Sequence, residues 1–236
     1  MSGALWLLPV ALGETPWPSY APAATREAAC RLRHFVAENA KTARAELKRI
    51  DHPVPLRELA IEQLPETPTA TDIERLLAPL RQGHDLGLMS EAGCPAVADP
   101  GALLVRRAHE LGIVVKPLVG PSSLLLALMA SGLDGQRFAF HGYLPTREPE
   151  RSRRIAELES ESARLKQTQI FIETPYRNHA LFNALLLACH PKTRLCLATD
   201  LTLASEQIVT RRISDWKAAT PPDLDKRPTV FLLLAD

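Results

Sequence analysis

The chain has 236 residues, 46% of them apolar and 23% charged, with a formal net charge of +1. This is the composition of a folded globular protein and excludes a disordered or fibrous chain. The near-zero charge also excludes affinity for nucleic acid or an anionic membrane from a net field alone; any such partner needs a local patch.

At this length two domains are expected, since domains cluster at roughly 100–150 residues. No segment reaches the roughly 18 uninterrupted apolar residues of a membrane span. The start, "MSGALWLLPVALGE", lacks a basic leader before its apolar stretch, so a cytoplasmic protein is expected. Cys30, Cys94, Cys189 and Cys196 form neither a C-x-x-C pair nor a regular framework and read as reduced thiols. Cys189, His190 and Cys196 lack the usual spacing of zinc ligands, so no metal is expected.

Taken in order, "ALWLLPVAL" predicts a first strand running into a loop at Pro9, without a G-x-G-x-x-G fingerprint. "TREAACRLRHFVAENAKTARAELKRI" has mostly helical spacing, broken by a short strand from His34 to Glu38. "TDIERLLAPLRQG" predicts a helix with Thr71 as N-cap, Glu74 as its capping-box partner and Gly83 at the end. "DLGLMS" is a buried strand, and the loop "SEAGCPAVADPG" follows it. Next come a helix closed by Gly112, the strand "IVVKPLVG" and the helix "SSLLLALMASG". A second series follows: strands at "RFAFHGYL", "TQIFIE", "TRLCLAT", "EQIVTRRIS" and "PTVFLLLA", with helices at "EPERSRRIAELESESARLKQ" and "YRNHALFNALLLAC". Alternating strands and helices predict two α/β domains with mostly parallel sheets, 1–119 and 120–236.

In open α/β sheets, ligands sit beyond the carboxyl ends of strands, where loops expose backbone N–H groups. The loop from Ser90 to Gly101 is placed at such an end. Asp99 and Pro100 fit a helix start, the carboxylate as cap and the proline at the first helical position. Gly93, Cys94 and Pro95 make a tight, stiffened turn that lets a ligand lie against the backbone. Glu91 reads either as a partner for a ribose hydroxyl or amine or as a solvated loop acid. "VGPSSLLLA" repeats the design: Gly120 and Pro121 turn the chain and Ser122 or Ser123 caps the next helix.

The segment "GLMSEAGCPAVADPGALLVRRAHELGIVVKPLVGPSSLLLALMASGL", with "RFAFHGYLP" and "ETPYR", closely resembles the tetrapyrrole-methylase superfamily of S-adenosylmethionine-dependent methyltransferases. Within it the chain is most similar to the ribosomal RNA small-subunit enzymes that modify a cytidine 2′-hydroxyl. That resemblance implies two α/β domains, S-adenosylmethionine in the cleft between them, and a homodimer. By position it places Leu12, Glu91, Gly93, Cys94, Pro95, Ser122 and Ser123 at the cofactor, joined by Ile172, Ala198 and Pro228 from the second domain. The chain departs from those enzymes in Pro9 to Glu14, where they carry Thr-Pro-Ile-Gly-Asn, and in Ala37 to Arg44, where they carry Ala-Glu-Asp-Thr-Arg.

Methyl transfer to a hydroxyl needs alignment and an acceptor for the proton. Glu38 is the first candidate base and Glu173 the second, the alternative for each being an ordinary ion-pairing acid. Lys41, Arg44 and Lys48 share a face if helical, and Arg147, Arg151, Arg153 and Arg154 form a second basic group. Both read as solvated surface or as contacts to RNA phosphates. Three functions follow: a methyltransferase for ribosomal RNA, one for a small molecule such as a tetrapyrrole, and a cofactor-binding module without turnover. A nicotinamide dehydrogenase is disfavoured by the missing glycine fingerprint.

Overall fold

The computed structural model describes residues 3–235, which divide into two compact units, one up to Ser122 and one from Ser123 onward. The first unit runs β1 (Leu5–Leu8), α1 (Ala23–Arg31), β2 (His34–Ala37), α2 (Ala40–Arg49), β3 (Ala60–Gln63), α3 (Ala70–Leu76), α4 (Ala78–Arg81), β4 (Leu86–Met89), α5 (Ala102–Glu110) and β5 (Val115–Pro117). Its strands lie in the order β3-β2-β4-β1-β5, and every pairing is parallel. Alternating side chains feed two cores. Leu5, Val36, Leu86 and Leu88 pack with α3, α4 and α5, whereas Leu8, Phe35, Ala37 and Met89 pack with α1 and α2. Burial on both faces is why these strands read as continuous apolar runs.

β1 and β4 are neighbours, yet β1 leads through α1 to β2 on one side and β4 through α5 to β5 on the other. Their helices lie on opposite faces, so the loops leaving them diverge above the same pair of strands. This is the position at which open α/β sheets bind ligands.

The second unit contains α6 (Ser123–Ser131), β6 (Phe138–Tyr143), α7 (Glu150–Leu165), β7 (Thr168–Ile172), α8 (Asn178–Ala188), β8 (Arg194–Thr199), β9 (Gln207–Arg212), α9 (Ile213–Ala218) and β10 (Thr229–Leu234). Its sheet has the order β6-β7-β10-β8-β9, and only β6 and β7 run parallel. The expectation of mostly parallel sheets therefore holds for the first unit, and the second sheet is mixed. The reason is connection length: β8 and β9 are joined by a short turn, with no room for the helical crossover that a parallel pair requires. Phe231 and Leu233 of β10 face a core built with α7, α8 and α9, where the Phe171 and Phe231 rings stack 5.9 Å apart. Trp216 is locked there by its indole N–H, which donates to the Leu195 carbonyl at 2.9 Å.

Several local readings are corrected. The cap of α3 is Thr69, not Thr71, and its capping-box partner is Asp72. Glu74 instead accepts from Arg107 and pairs with Arg81. β3, absent from the sequence reading, is a half-exposed edge strand whose four residues carry no clear alternation. Asp99 does not cap α5, which starts from Gly101 without a side-chain cap.

Phe231 has no exposed surface and sits on the central strand of its sheet. Phe231→Ala is expected to cost about 3–5 kcal/mol, as large-to-small changes at such sites do. Urea unfolding followed by far-UV circular dichroism measures it, and a loss below about 1 kcal/mol would contradict this packing.

Candidate functional site

Four connections of the first unit meet beyond the carboxyl ends of its strands. The loop after β1 and the loop after β4 are joined by reciprocal backbone bonds: Val10 N–H donates to the Gly93 carbonyl and Gly93 N–H to the Val10 carbonyl, both at 2.9 Å. Gly93 holds φ +77°, and a Cβ there would lie 3.5 Å from Leu12 Cδ2. Space is ordinary at this point; the demand for glycine comes from the left-handed backbone. Gly120, after β5, is needed for the opposite reason. Its Cβ would lie 2.3 Å from Pro9 Cβ, so the loops after β1 and β5 touch only because that side chain is missing. Cys94 Sγ donates to the Pro121 carbonyl at 3.3 Å, and Thr25 Oγ1 of α1 donates to the Val119 carbonyl at 2.8 Å.

Asp99 holds the rest of the long loop together. Its Oδ1 accepts from Ala96 N–H at 2.9 Å and Gly101 N–H at 2.7 Å. Between these anchors Ala96 and Ala98 have φ of +65° and +62°. Left-handed alanines cost roughly 1–2 kcal/mol each, and strain of this kind gathers at functional loops. Nothing in the residue types announces it, because alanine is not a left-handed residue by preference. Burial pushes the Asp99 carboxyl above its ordinary range, against the pull of its two N–H donors.

Glu38 follows β2 beside this loop, and its Oε2 accepts from Glu91 N–H at 3.1 Å. Burial raises its carboxyl above the usual range; the charges of Asp99, Glu91 and Glu66 push the same way, and the Glu91 N–H opposes them. Asn39, the next residue, caps α2 by accepting from Lys41 and Thr42 N–H. The structure thus brings Leu12, Glu38, Glu91, Gly93, Cys94 and Pro95 together around one turn, with Ser122 following Pro121. Among the described residues, the backbone N–H groups of Ala92 and Cys94 have no protein acceptor. Behind the β1 loop is a water-sized cavity of about 20 Å³, lined in part by Pro9, Thr25, Tyr20, Glu46 and Met89. Glu46 is a buried member of this lining, bonded to the Tyr20 hydroxyl and paired with Arg49. It lies on the apolar face of α2, the one sequence signal that could have revealed this tie.

The remaining expected site residues belong to the second unit. Val230 of β10 pairs with Ile172 on one side and Ala198 on the other, and the Pro228 carbonyl accepts from Asp200 N–H at 2.9 Å. Ile172, Ala198 and Pro228 therefore lie at one end of the three central strands of the second sheet. Ser123 opens α6. Glu173 is buried, and its Oε1 accepts from Thr174 N–H at 2.7 Å and from Arg177 at 2.6 Å. It braces the turn before α8.

The family model described as Tetrapyrrole (Corrin/Porphyrin) Methylases matches residues 20–216. The chain belongs to that family. Among curated relatives, the "Ribosomal RNA small subunit methyltransferase I" of Xylella fastidiosa is 34% identical over 161 residues, 68% of this chain and 58% of that protein. The protein of the same name from Escherichia coli O157:H7 is 32% identical over 163 residues, 69% of this chain and 56% of the relative. The chain thus spans a little over half the length of these relatives. Among solved structures, the methyltransferase CobJ aligns with a TM-score of 0.66 at 17% identity over 99% of this chain and 95% of that one. The uroporphyrin-III-C-methyltransferase from Thermus thermophilus aligns with a TM-score of 0.56 at 18% identity, covering 99% of this chain and 93% of that one. These two methyltransferases share the fold. Among the described residues, no helix is long and apolar enough to cross a membrane.

The raised Glu38 carboxyl has a consequence for stability. A folded-state value above the unfolded one means that the contribution of the neutral form is present at low pH and lost as pH rises through the raised value. Glutamine keeps the acceptor for Glu91 N–H and does not titrate. Glu38→Gln is therefore expected to gain stability relative to the parent as pH rises from about 4 to about 7. Urea titrations across that range test it, and a constant difference between the two proteins would refute the raised carboxyl.

Proposed function

We propose that this protein is an S-adenosylmethionine-dependent methyltransferase that methylates a hydroxyl of small-subunit ribosomal RNA. The observation that carries the proposal is the pinned turn at Gly93 to Pro95, with the free N–H groups of Ala92 and Cys94 and the Glu38 carboxylate beside it. The curated relatives' names support the acceptor. In this reading Leu12, Glu91, Gly93, Cys94, Pro95 and Ser122 hold the cofactor.

The residues fit the group. Backbone donors without protein acceptors and a glycine turn suit a polar nucleoside, and the surrounding carboxylates suit a cationic sulfonium. When bound, S-adenosylmethionine supplies an electrophilic methyl group. Glu38 Oε2 is held by Glu91 N–H, which orients the carboxylate and leaves Oε1 to take the proton of the attacking hydroxyl. A carboxyl raised by burial is a better base near neutral pH than a solvated one. Glu173, engaged by Arg177 and Thr174, serves to shape its turn. The same reading takes the protein as a cytoplasmic homodimer. Leu125 and Met129, 52% and 80% exposed one turn apart on α6, offer a second copy an apolar surface.

The test is transfer of labelled methyl from S-adenosylmethionine to small ribosomal subunits purified from a strain lacking this protein. Incorporation into the RNA is expected, and Glu38→Gln is expected to lower it by about 10²-fold or more, the usual contribution of a positioned base. Gly93→Val, which forces a branched residue into a left-handed turn, is expected to weaken binding of the demethylated cofactor by at least tenfold while the protein stays folded. Absence of incorporation into RNA, with transfer to a tetrapyrrole instead, would replace the acceptor. Unchanged calorimetric affinity in a folded Gly93→Val protein would remove the cofactor from this turn.

A further inference from the structure

α2 divides its charges between two faces. Ala43, Glu46, Leu47 and Ile50 are buried, and the one acid of the helix, Glu46, is consumed inside by Tyr20 and Arg49. Lys41, Arg44 and Lys48 are exposed on the other side. At 3.6 residues per turn they fall within an arc of about 60°, and they span roughly 10 Å of the helix axis. Among the described residues none of the three makes an ion pair, and the only exposed neighbour between them is Ala45. Their environment differs from that of Arg151 and Arg154 in the other basic group. There Arg151 pairs with Glu148 at 2.8 Å, and Arg154 pairs with Glu157 at 3.1 Å and with Glu161 at 3.9 Å.

The stripe also starts at a telling place. Asn39 caps α2 directly after Glu38, so the row of cations begins within one helical turn of that carboxylate and leads away from it. The acids at its two ends, Glu38 and Asp51, lie outside the row. A row of unpaired lysine and arginine heads with no acid and no large apolar side chain among them matches a polyanionic strand. A membrane surface would call for apolar residues to insert on the same face, and α2 presents none.

We propose that the outer face of α2, through Lys41, Arg44 and Lys48, is the surface that binds the RNA phosphate backbone and delivers the acceptor nucleotide to the Glu38 end of the helix. This rests on the RNA reading above.

The test compares the parent with a Lys41→Gln/Arg44→Gln/Lys48→Gln variant in binding small-subunit ribosomal RNA at several salt concentrations. All three side chains are exposed, so the variant is expected to keep its circular dichroism and its affinity for the demethylated cofactor. RNA affinity is expected to fall at least tenfold at low salt. The slope of log affinity against log salt is expected to flatten by up to about 2, since each lost phosphate contact on a single strand removes about 0.7. In methyl transfer, KM for RNA should rise with kcat unchanged. A variant that binds RNA with the parent's affinity and slope would overturn the assignment while leaving the RNA reading intact. A parent without salt-dependent RNA affinity would overturn both. Poly-glutamate bound by the parent as tightly as RNA, and lost with the same three substitutions, would give the stripe to an acidic protein and overturn it as well.

Discussion

The site depends on one constraint, the two reciprocal hydrogen bonds between Val10 and Gly93. They fasten the loop after β1 to the loop after β4 where the chain would otherwise lead the two apart to opposite faces of the sheet. Once the bridge is made, other contacts become geometrically possible: Gly120 against Pro9, Cys94 Sγ on the Pro121 carbonyl, and Glu91 N–H on Glu38. Each is weak by itself, roughly 1 kcal/mol for a hydrogen bond. Together they convert four mobile connections into a preformed surface, which lowers the ordering cost of binding a ligand there.

Charge is distributed with equal economy of elements. Carboxylates gather beyond the carboxyl ends of β2 and β4, where burial holds Glu38 and Asp99 above the ordinary range and neighbouring acids push Glu38 further the same way. Elsewhere in the first unit Arg57, Arg75, Arg81 and Arg107 pair with acids. α2 departs from this pattern because its single glutamate points inward, leaving the outer face uniformly basic. A net charge of +1 conceals both features, since a sum over the chain carries no information about position.

The lapses of sequence reading have specific physical causes. Asp99 before Pro100 has the composition of a helix cap, yet its carboxylate is drawn to Ala96 and Gly101 by a loop whose left-handed alanines no propensity scale foresees. Thr69 and Thr71 offer equally good caps with an acid three residues on, and only the packing of Ile73 and Leu76 into the core decides where α3 starts. β3 has too few buried residues to show a period, and it exists because β2 offers an edge to pair with.

What the sequence determined by itself was everything that local chemistry controls. The alternation of strands and helices, the glycine turns at Gly93 and Gly120, and the family motifs from Gly87 to Arg177 are legible because backbone sterics and hydrophobic period act over a few residues. The mixed order of the second sheet, the bridge from Val10 to Gly93, the contact of Glu38 with Glu91 and the inward turn of Glu46 were decided only by tertiary structure. These join residues up to 83 positions apart, and such pairings are set by which buried surfaces pack together, which no local window of the chain contains.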